Sequence, residues 1–355
     1  MSEELQFMVA AAAVGQRLDR YLSGRSDVSR SRIQQDIKGG KVSVNGEPVD
    51  HPSHRLHEND RILWRFESAP LLRPARLPLS ILHEDDEVVA IDKPIGLVVH
   101  PGTGTHDTTL VEALLVDRRL PMSDDPSRPG IVHRLDKETS GAIVVAKTHA
   151  ALGSLQAQFA ERTTVKFYLA VVAGRVDEET GLIDAPIGRD PTLPSRMAIN
   201  AAGKNAVTEF RVLDRNPDYS VLLLLLHTGR THQLRVHLKY IGHPVVGDEV
   251  YGNPRMDRKV FGELGEPADG QSNQEFAAKR TPYEPAHGQA HKEFPNGETP
   301  PELAERQVRM MLHAWRLQVT HPVSGEPLQI EAPIPDAFPS LDYDRLPWER
   351  NAVRP

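Results

Sequence analysis

The sequence predicts an α+β protein of two units, a small mixed α/β unit followed by a larger unit with a mixed, mainly antiparallel sheet. Helical and strand patterns crowd the first 67 residues, and a proline-rich stretch follows them. Beyond that stretch, apolar β-branched strand patterns are interspersed with helical ones, with hairpin-like pairs among the strands. The sequence has no regular strand–helix repeat with a glycine-rich phosphate loop, which argues against a doubly wound parallel sheet.

The first unit is expected over residues 15–67. Its patterns predict two short helices and two strands, at 17–22, 29–37, 42–46 and 61–64. Ser29 is the expected N-cap of the second helix. The Asn45-Gly46 pair after the first strand is a strong hairpin signal. The second helix and its following loop carry four bases against the single acid Asp36, namely Arg30, Arg32, Lys38 and Lys41. We expect these bases to face solvent or a partner.

Residues 68–79 hold three prolines without a clear period, which is typical of a semi-extended linker. The larger unit is expected over residues 80–345. Its strand patterns lie at 88–91, 142–146, 167–171 and 221–226. Its helical patterns lie at 109–115, which begins with a capping-box spacing, and at 152–159 and 234–241.

Residues 253–305 differ in composition from the rest of the larger unit. Gly, Pro, Glu, Gln and His dominate there, hydrophobic periodicity is lost, and ten acids stand against six bases. A structureless stretch of that length is rarely packed. We interpret it as a mobile insertion.

Composition and charge exclude several classes of protein. The chain has no cysteine, so disulfides and thiolate metal ligands are excluded. Its longest apolar run, 221–226, is too short to cross a bilayer, which needs about 20 residues. The acidic N-terminus lacks the pattern of a signal peptide, so the cytoplasm is the expected location. The net charge is −7, but much of it lies in 253–305, and binding to a polyanion depends on where the remaining charge lies.

The most informative stretch is 133–141, HRLDKETSG, just before the strand at 142–146. A polar, glycine-bounded segment that leads into a buried strand holds a reactive side chain rigidly. Asp136 lies in it between Arg134 and Lys137, and opposite charges nearby favour an ionised carboxylate. Asp136 is therefore the candidate nucleophile or base.

A second stretch, 227–238 (HTGRTHQLRVHL), follows the strand at 221–226. Gly229 permits a sharp turn there, and a helix is expected to begin near Arg230. A guanidinium at that place is suited to a bidentate pair with Asp136 that fixes the direction of the carboxylate.

These stretches resemble the RluA/RluD-type pseudouridine synthases. The match is carried by KPIGLVVHP (93–101), HRLDKETSG (133–141), KFYLAVV (166–172) and TGRTHQLRVHL (228–238), with weaker LHAW and HPVSGEPL segments near the C-terminus. The first unit resembles the small RNA-binding module named after ribosomal protein S4, through GQRLDRYL, SRSRIQQDIKGGKVSVNG and ENDRILW. Together the two resemblances cover nearly the whole chain outside 253–305.

The resemblance implies a role for individual residues. Asp136 takes the place of the essential aspartate, Tyr168 that of the tyrosine that stacks on the target uracil, and Arg230 that of the arginine that pairs with the aspartate. Arg134, together with the neighbouring His133, matches the position that touches RNA. In the S4-like module, the bases at 30–41 would face RNA.

The resemblance further implies isomerisation of uridine to pseudouridine in ribosomal RNA, most consistently the large-subunit RNA. The C1'–N1 bond breaks and a C1'–C5 bond forms without a redox step, so we expect no cofactor and no metal. A carboxylate can assist by attacking C1', by adding to C6 of the ring or by removing a sugar proton, and the sequence does not choose among these. The target base must leave its stack, which favours targets in loops. RNA is the expected partner, without a membrane, and a monomer is favoured.

Three other interpretations compete with this one. The first is a catalytic metal site, because histidines 227, 232 and 237 cluster in sequence. A spacing of five places them on no common helical face, however, and no HExxH motif accompanies them. A non-catalytic RNA-binding or ribosome-assembly protein needs no carboxylate in a cleft. A glycoside hydrolase needs a pair of carboxylates, whereas the motifs supply one dominant aspartate. Taken alone, Tyr168 is equally well a core aromatic, and Arg230 a surface ion-pair partner.

Overall fold

The computed structural model of the chain describes residues 2–26, 28, 30–67, 72–102, 107–123, 125–264, 310–343 and 346. In the first unit the elements are β1 (Ser2–Met8), a 3-10 turn (Ala11–Ala13), α1 (Leu18–Ser23), α2 (Arg30–Lys38), β2 (Val42–Val44), β3 (Glu47–Pro48) and β4 (Arg61–Glu67). The strands form an antiparallel sheet in the order β1-β4-β2-β3.

The core of this unit follows from the helical periodicity of its sequence. One turn separates Leu18 from Leu22 in α1, and likewise Ile33 from Ile37 in α2. All four side chains are fully buried together with Trp64 of β4. The four predicted helices and strands are thus confirmed, with bounds that differ by at most three residues, although Ser29, the expected N-cap, lies outside the described residues.

A strand that the sequence did not predict precedes the expected start of the first unit at residue 15. β1 pairs with β4 along its whole length, from Ser2 opposite Glu67 to Met8 opposite Arg61. Its side chains are only half-buried or exposed where they are described, so the strand carries too little apolar alternation to stand out in the sequence.

In the larger unit the strands are β5 (Ser80–Glu84), β6 (Val88–Lys93), β7 (Ser140–Ala146), β8 (Val165–Ala173), β9 (Thr180–Asp184), β10 (Ile187–Arg189), β11 (Met197–Ile199), β12 (Val207–Arg215), β13 (Tyr219–Leu226), β14 (Leu312–Thr320) and β15 (Pro327–Glu331). The helices are α3 (Leu110–Leu114), α4 (His149–Glu161), α5 (Gln233–Tyr240) and α6 (Pro254–Glu263).

Nine of these strands form one sheet in the order β5-β6-β7-β14-β8-β13-β12-β9, with β15 on β14. Among the described strands, β14 is parallel to β7, and every other pair in this sheet is antiparallel. Apolar clusters cover its faces, and one of them contains Leu135 and Tyr168. The predicted mixed, mainly antiparallel α+β fold is confirmed.

The centre of the sheet is where β14 enters between β7 and β8. Ala314 lies opposite Gly141 on one side and opposite Tyr168 on the other. Gly141 has φ +109°, and a Cβ there would lie 2.2 Å from the carbonyl oxygen of Ala314. Only glycine permits this approach, which packs the end of the 133–141 stretch against β14, the strand that also pairs with Tyr168.

The interpretation of 253–305 as structureless is wrong over its first part. Asn253 accepts the N–H of Arg255 and caps α6, whose Val260 and Phe261 are buried against the sheet. Residues 265–305 of that interpretation lie outside the described residues. No helix in the described part of the chain is long and apolar enough to cross a membrane.

Candidate active site

The loop that carries Asp136 is anchored by a buried lysine at the end of β6. Lys93 is fully buried, and its Nζ donates to the carbonyl oxygens of Pro94, Leu97 and Lys137 at 2.8, 2.9 and 3.1 Å. The Gly96 N–H donates to the same Lys137 carbonyl. The backbone immediately after Asp136 is therefore tied to the segment that follows β6.

Asp136 lies in a pocket at the end of the central strands, with its side chain 17% exposed. The pocket is lined by Arg134, Leu135, Asp136, Thr139, Tyr168, Leu226, Gly229, Arg230, Thr231, His232, Gln233, Leu234, Arg235 and Leu312. The predicted Asp136, Tyr168, Arg134 and Arg230 are thus brought together. Asp136 is the only carboxylate among these lining residues, whereas three of them are arginines, so the pocket suits a polyanionic substrate.

Arg235, and not the predicted Arg230, is the guanidinium that faces Asp136. The Nη1 of Arg235 lies 3.4 Å from the Oδ2 of Asp136. Arg230 lies outside the helix, and its Nε donates to the Asn205 carbonyl at 3.0 Å. The expected pairing is wrong because α5 begins at Gln233, three residues later than expected, and so places the second arginine of the stretch inward.

Arg235 is itself held by a second carboxylate. Its Nε and Nη2 donate to the two oxygens of Asp248 at 2.7 and 2.8 Å, and its guanidinium lies 5.0 Å from the centre of the Tyr251 ring. Burial acts against the charge of Arg235, but the hydrogen bonds with Asp248 raise its pKa. A permanently charged side chain is therefore fixed beneath Asp136.

Tyr168 contributes a neutral phenol to the pocket. Burial raises its pKa, and the nearby charge of Asp136 acts in the same direction. The ring is 8% exposed and packs in the apolar cluster beside Leu135. Tyr168 is thus a protonated aromatic side chain next to the carboxylate, suited to stacking on a planar base.

The rest of the 228–238 stretch holds the pocket wall. Thr228 Oγ1 donates to Gln233 Oε1, and Gln233 Nε2 donates to Thr208 Oγ1 and to the Val207 carbonyl. His237 bridges Thr208 Oγ1 and the Ala185 carbonyl. A buried, fully partnered network of this kind fixes the start of α5 and hence the position of Arg235.

The three histidines of this stretch have separate surroundings. His227 lies 3.3 Å from Glu209, His232 Nδ1 lies 2.9 Å from the Tyr251 hydroxyl, and His237 belongs to the buried network. No group of three or more candidate metal ligands is found among the described residues.

His133 has a structural position and does not fit the expected contact with RNA. Its Nε2 accepts the N–H of Val144 at 3.0 Å, and its ring stacks on Phe159 with centroids 4.5 Å apart. Burial, together with Lys166, lowers its pKa to about 3. A neutral ring with its Nε2 occupied carries no charge to a phosphate, whereas the adjacent Arg134 is exposed at the pocket.

In the first unit, the bases expected to contact RNA are Arg30, Arg32, Lys38 and Lys41. The buried Asp19 holds Arg30 at 2.8 Å, and the buried Asp36 holds Arg32 at 3.3 Å and Lys41 at 3.6 Å. These three side chains remain 40–48% exposed. Lys38 is exposed and has no ion-pair partner within the described part of the chain. The four bases are therefore all accessible to solvent, and three of them are paired with a buried aspartate.

Sequence reasoning missed Lys93, Arg235 and Asp248. Lys93 directly follows a buried strand and precedes a proline, which is an unusual place for a charge and a usable signal. Arg235 stands in the quoted stretch, but every residue from Gln233 to Leu238 is buried, so no apolar stripe marks its face. Nothing in the sequence signals that Asp248 lies against Arg235.

Comparison with known proteins gives two family matches. Residues 87–240 match the family described as RNA pseudouridylate synthase, and residues 16–62 match the S4 domain. An uncharacterised RNA pseudouridine synthase of Aquifex aeolicus is 44% identical over 75% of this chain and 86% of its own length. The ribosomal large subunit pseudouridine synthase D of Escherichia coli is 37% identical over 98% of this chain and 96% of that protein. A solved structure of human RNA pseudouridylate synthase domain containing 1 is 28% identical over 73% of this chain and 84% of that chain, with a TM-score of 0.49.

Proposed function

The chain belongs to the RNA pseudouridylate synthase family and carries an S4 domain, and from this we propose that it isomerises uridines of large-subunit ribosomal RNA with Asp136 as the essential carboxylate. That it is an RNA-binding pseudouridine synthase follows from the family. The large-subunit RNA is supported by relatives at 35% to 38% identity over nearly the full chain, which are named for that subunit.

The observation that supports Asp136 is its place in the pocket. It is the lining carboxylate, it lies beside the neutral ring of Tyr168, and a guanidinium fixed from behind faces one of its oxygens. A flipped uridine that stacks on Tyr168 would present its C1' and its ring carbons to the free side of the carboxylate. Breaking the C1'–N1 bond, turning the base and closing the C1'–C5 bond then requires no change in oxidation state.

The surroundings of Asp136 and the S4 domain supply cations that can bind the phosphates of an RNA. Arg134 and Arg230 lie at the pocket as cations that the Asp136–Arg235 contact does not use, so they are available to phosphates. In the S4 domain, Arg30 and Arg32 are each held by a buried aspartate, and their side chains remain 48% and 45% exposed. Pairing of this kind lowers the entropy lost when the side chain meets a phosphate. The S4 domain would capture a folded RNA, and the pocket would receive a loop nucleotide.

The proposal is tested by incubating the purified protein with unmodified large-subunit ribosomal RNA and mapping pseudouridine by carbodiimide treatment and primer extension. Asp136→Asn is compared with Asp177→Asn, an equal change at an exposed side chain that is 84% accessible. New stops with the wild type and with Asp177→Asn that disappear with Asp136→Asn support both parts of the proposal.

Two other outcomes contradict parts of it. Stops that persist with Asp136→Asn remove the carboxylate from its role. RNA binding without any stop, on free RNA and on assembled subunits alike, identifies the protein as a ribosome-assembly factor and leaves Asp136 a structural partner of Arg235.

A further inference from the structure

Arg235 is shared unequally between two carboxylates. Its bonds to Asp248 have the lengths of strong charge-assisted hydrogen bonds, 2.7 and 2.8 Å, and engage both oxygens. Its contact with Asp136, at 3.4 Å and through one nitrogen, lies beyond the usual range for such a bond. The guanidinium therefore belongs to Asp248 and only approaches Asp136.

Asp248 is rigidly placed. Its side chain is fully buried, and its Oδ1 also accepts the N–H groups of Val250 and Tyr251 at 2.9 Å each. Just before it, the backbone at Val246 bonds to Val171 of β8. Burial acts to raise the pKa of Asp248, but the hydrogen bonds from Arg235 outweigh it and hold the pKa below its usual range. A charged carboxylate fixed to the central sheet thus decides where the guanidinium points.

We propose that Asp248 is a positioning residue that holds Arg235 back from Asp136, so that one oxygen of the Asp136 carboxylate stays free for the nucleoside. This inference rests on the proposed function of the pocket. An arginine without another partner takes a nearby carboxylate in a bidentate pair at about 2.7–2.9 Å and covers both of its oxygens. With its Nε and Nη2 bound to Asp248, the guanidinium is held at a distance at which a single nitrogen, Nη1, approaches one oxygen of Asp136, at 3.4 Å.

A purely structural ion pair would predict a different dependence on Arg235. If Asp248 only stabilised the fold, its loss would act on activity independently of the residue at 235. If it acts by restraining the guanidinium, its loss has no effect on the chemical step once the guanidinium itself is gone. A double-mutant cycle separates the two cases.

The experiment measures the single-turnover rate at saturating RNA, and the RNA Kd, for the wild type, Asp248→Asn, Arg235→Lys and the double variant. Asn keeps an Oδ1 acceptor for the N–H groups of Val250 and Tyr251, so the loop retains its two backbone bonds. We expect Asp248→Asn to lower the rate about 30-fold and Arg235→Lys about 100-fold, within the range that small misplacements cause. The double variant should resemble Arg235→Lys alone, with the Kd changed less than about 3-fold throughout.

A double variant about 3,000-fold slower than the wild type, the product of the two single effects, overturns the proposal. So does a crystal structure of Asp248→Asn in which the contact between Arg235 and Asp136 stays near 3.4 Å. If Asp248→Asn does not fold, Asp248→Glu replaces it, because the extra methylene shifts the guanidinium while keeping the charge. An unchanged rate with Glu then also overturns the proposal. A wild type that forms no pseudouridine on any RNA contradicts the proposed function instead, which the wild-type arm alone reveals.

Discussion

Replacing Lys93 with methionine removes the amine that ties the Asp136 loop to the segment after β6. The side chain is fully buried, and burial lowers the pKa of Lys93 from 10.5 to about 7, against the opposing effect of the carboxylates around it. Met keeps the length of the side chain but leaves the carbonyl oxygens of Pro94 and Leu97 without this donor, whereas the Lys137 carbonyl keeps its bond from the Gly96 N–H.

The size of the expected effect depends on pH. Because the pKa of Lys93 is lower in the folded than in the unfolded chain, its titration favours the folded protein most above about pH 10.5. This contribution decreases as the pH falls and is lost at about pH 7. Between pH 7 and pH 9 the unfolded chain keeps a proton that the folded chain has released, and each pH unit adds up to about 1.4 kcal/mol. The free energy of unfolding of the wild type should therefore rise by about 2–3 kcal/mol relative to Lys93→Met over that interval.

Urea unfolding at pH 7, 8 and 9 measures this difference, and the histidines that titrate nearby cancel because both proteins contain them. Lys204→Met, at an exposed lysine, is the matched control and should run parallel to the wild type. Parallel curves for the wild type and Lys93→Met would refute the reasoning, since they require that the buried amine keep its proton. We also expect Lys93→Met to lower kcat about 10-fold or more, because the carbonyl next to Asp136 loses one of its two donors.

Further outcomes are expected at other positions. Arg235→Ala should lower kcat about 100-fold at saturating RNA, whereas Arg230→Ala should mainly raise the RNA Kd, and steady-state kinetics with the target RNA separates the two. Gly141→Ala should destabilise the protein by about 2–6 kcal/mol, because a Cβ would lie 2.2 Å from the Ala314 carbonyl oxygen at a positive φ, and thermal unfolding measures it. Lys38→Ala should weaken RNA binding and reduce the slope of log Kd against log salt by about 1 without changing kcat, which filter binding at several salt concentrations tests.

The sequence predicts most of the sheet because its strands are apolar and β-branched, and it places Asp136 and Tyr168 because long motifs carry them. The sequence does not identify the arginine that faces Asp136, because the 228–238 stretch contains two arginines. Which of them faces the carboxylate depends on where α5 begins. Thr228 and Gln233 bond to each other across the turn before the helix and delay its start. That bond is a tertiary event that hydrophobic periodicity does not report.

The missed helix α6 has a different cause. Asn253 as N-cap, Pro254 at the first helical position, and Val260 with Phe261 on the apolar side together form a helix signature. The acid-rich composition of 253–305 as a whole conceals this short signature.

Asp136 is positioned mainly by contacts made to the residues around it rather than to its own carboxylate. Lys93 bonds to the backbone one residue away, Gly141 lets β14 pack beside the loop, and Asp248 holds the guanidinium that approaches one oxygen. Each anchor comes from a different part of the chain, and within the described residues the polar contact of the carboxylate is the one with Arg235 at 3.4 Å. The groups that position the loop are thereby distinct from the carboxylate proposed to react. Changes at the anchors should accordingly act on kcat and leave the RNA Kd nearly unchanged, whereas changes at the S4 bases should do the reverse.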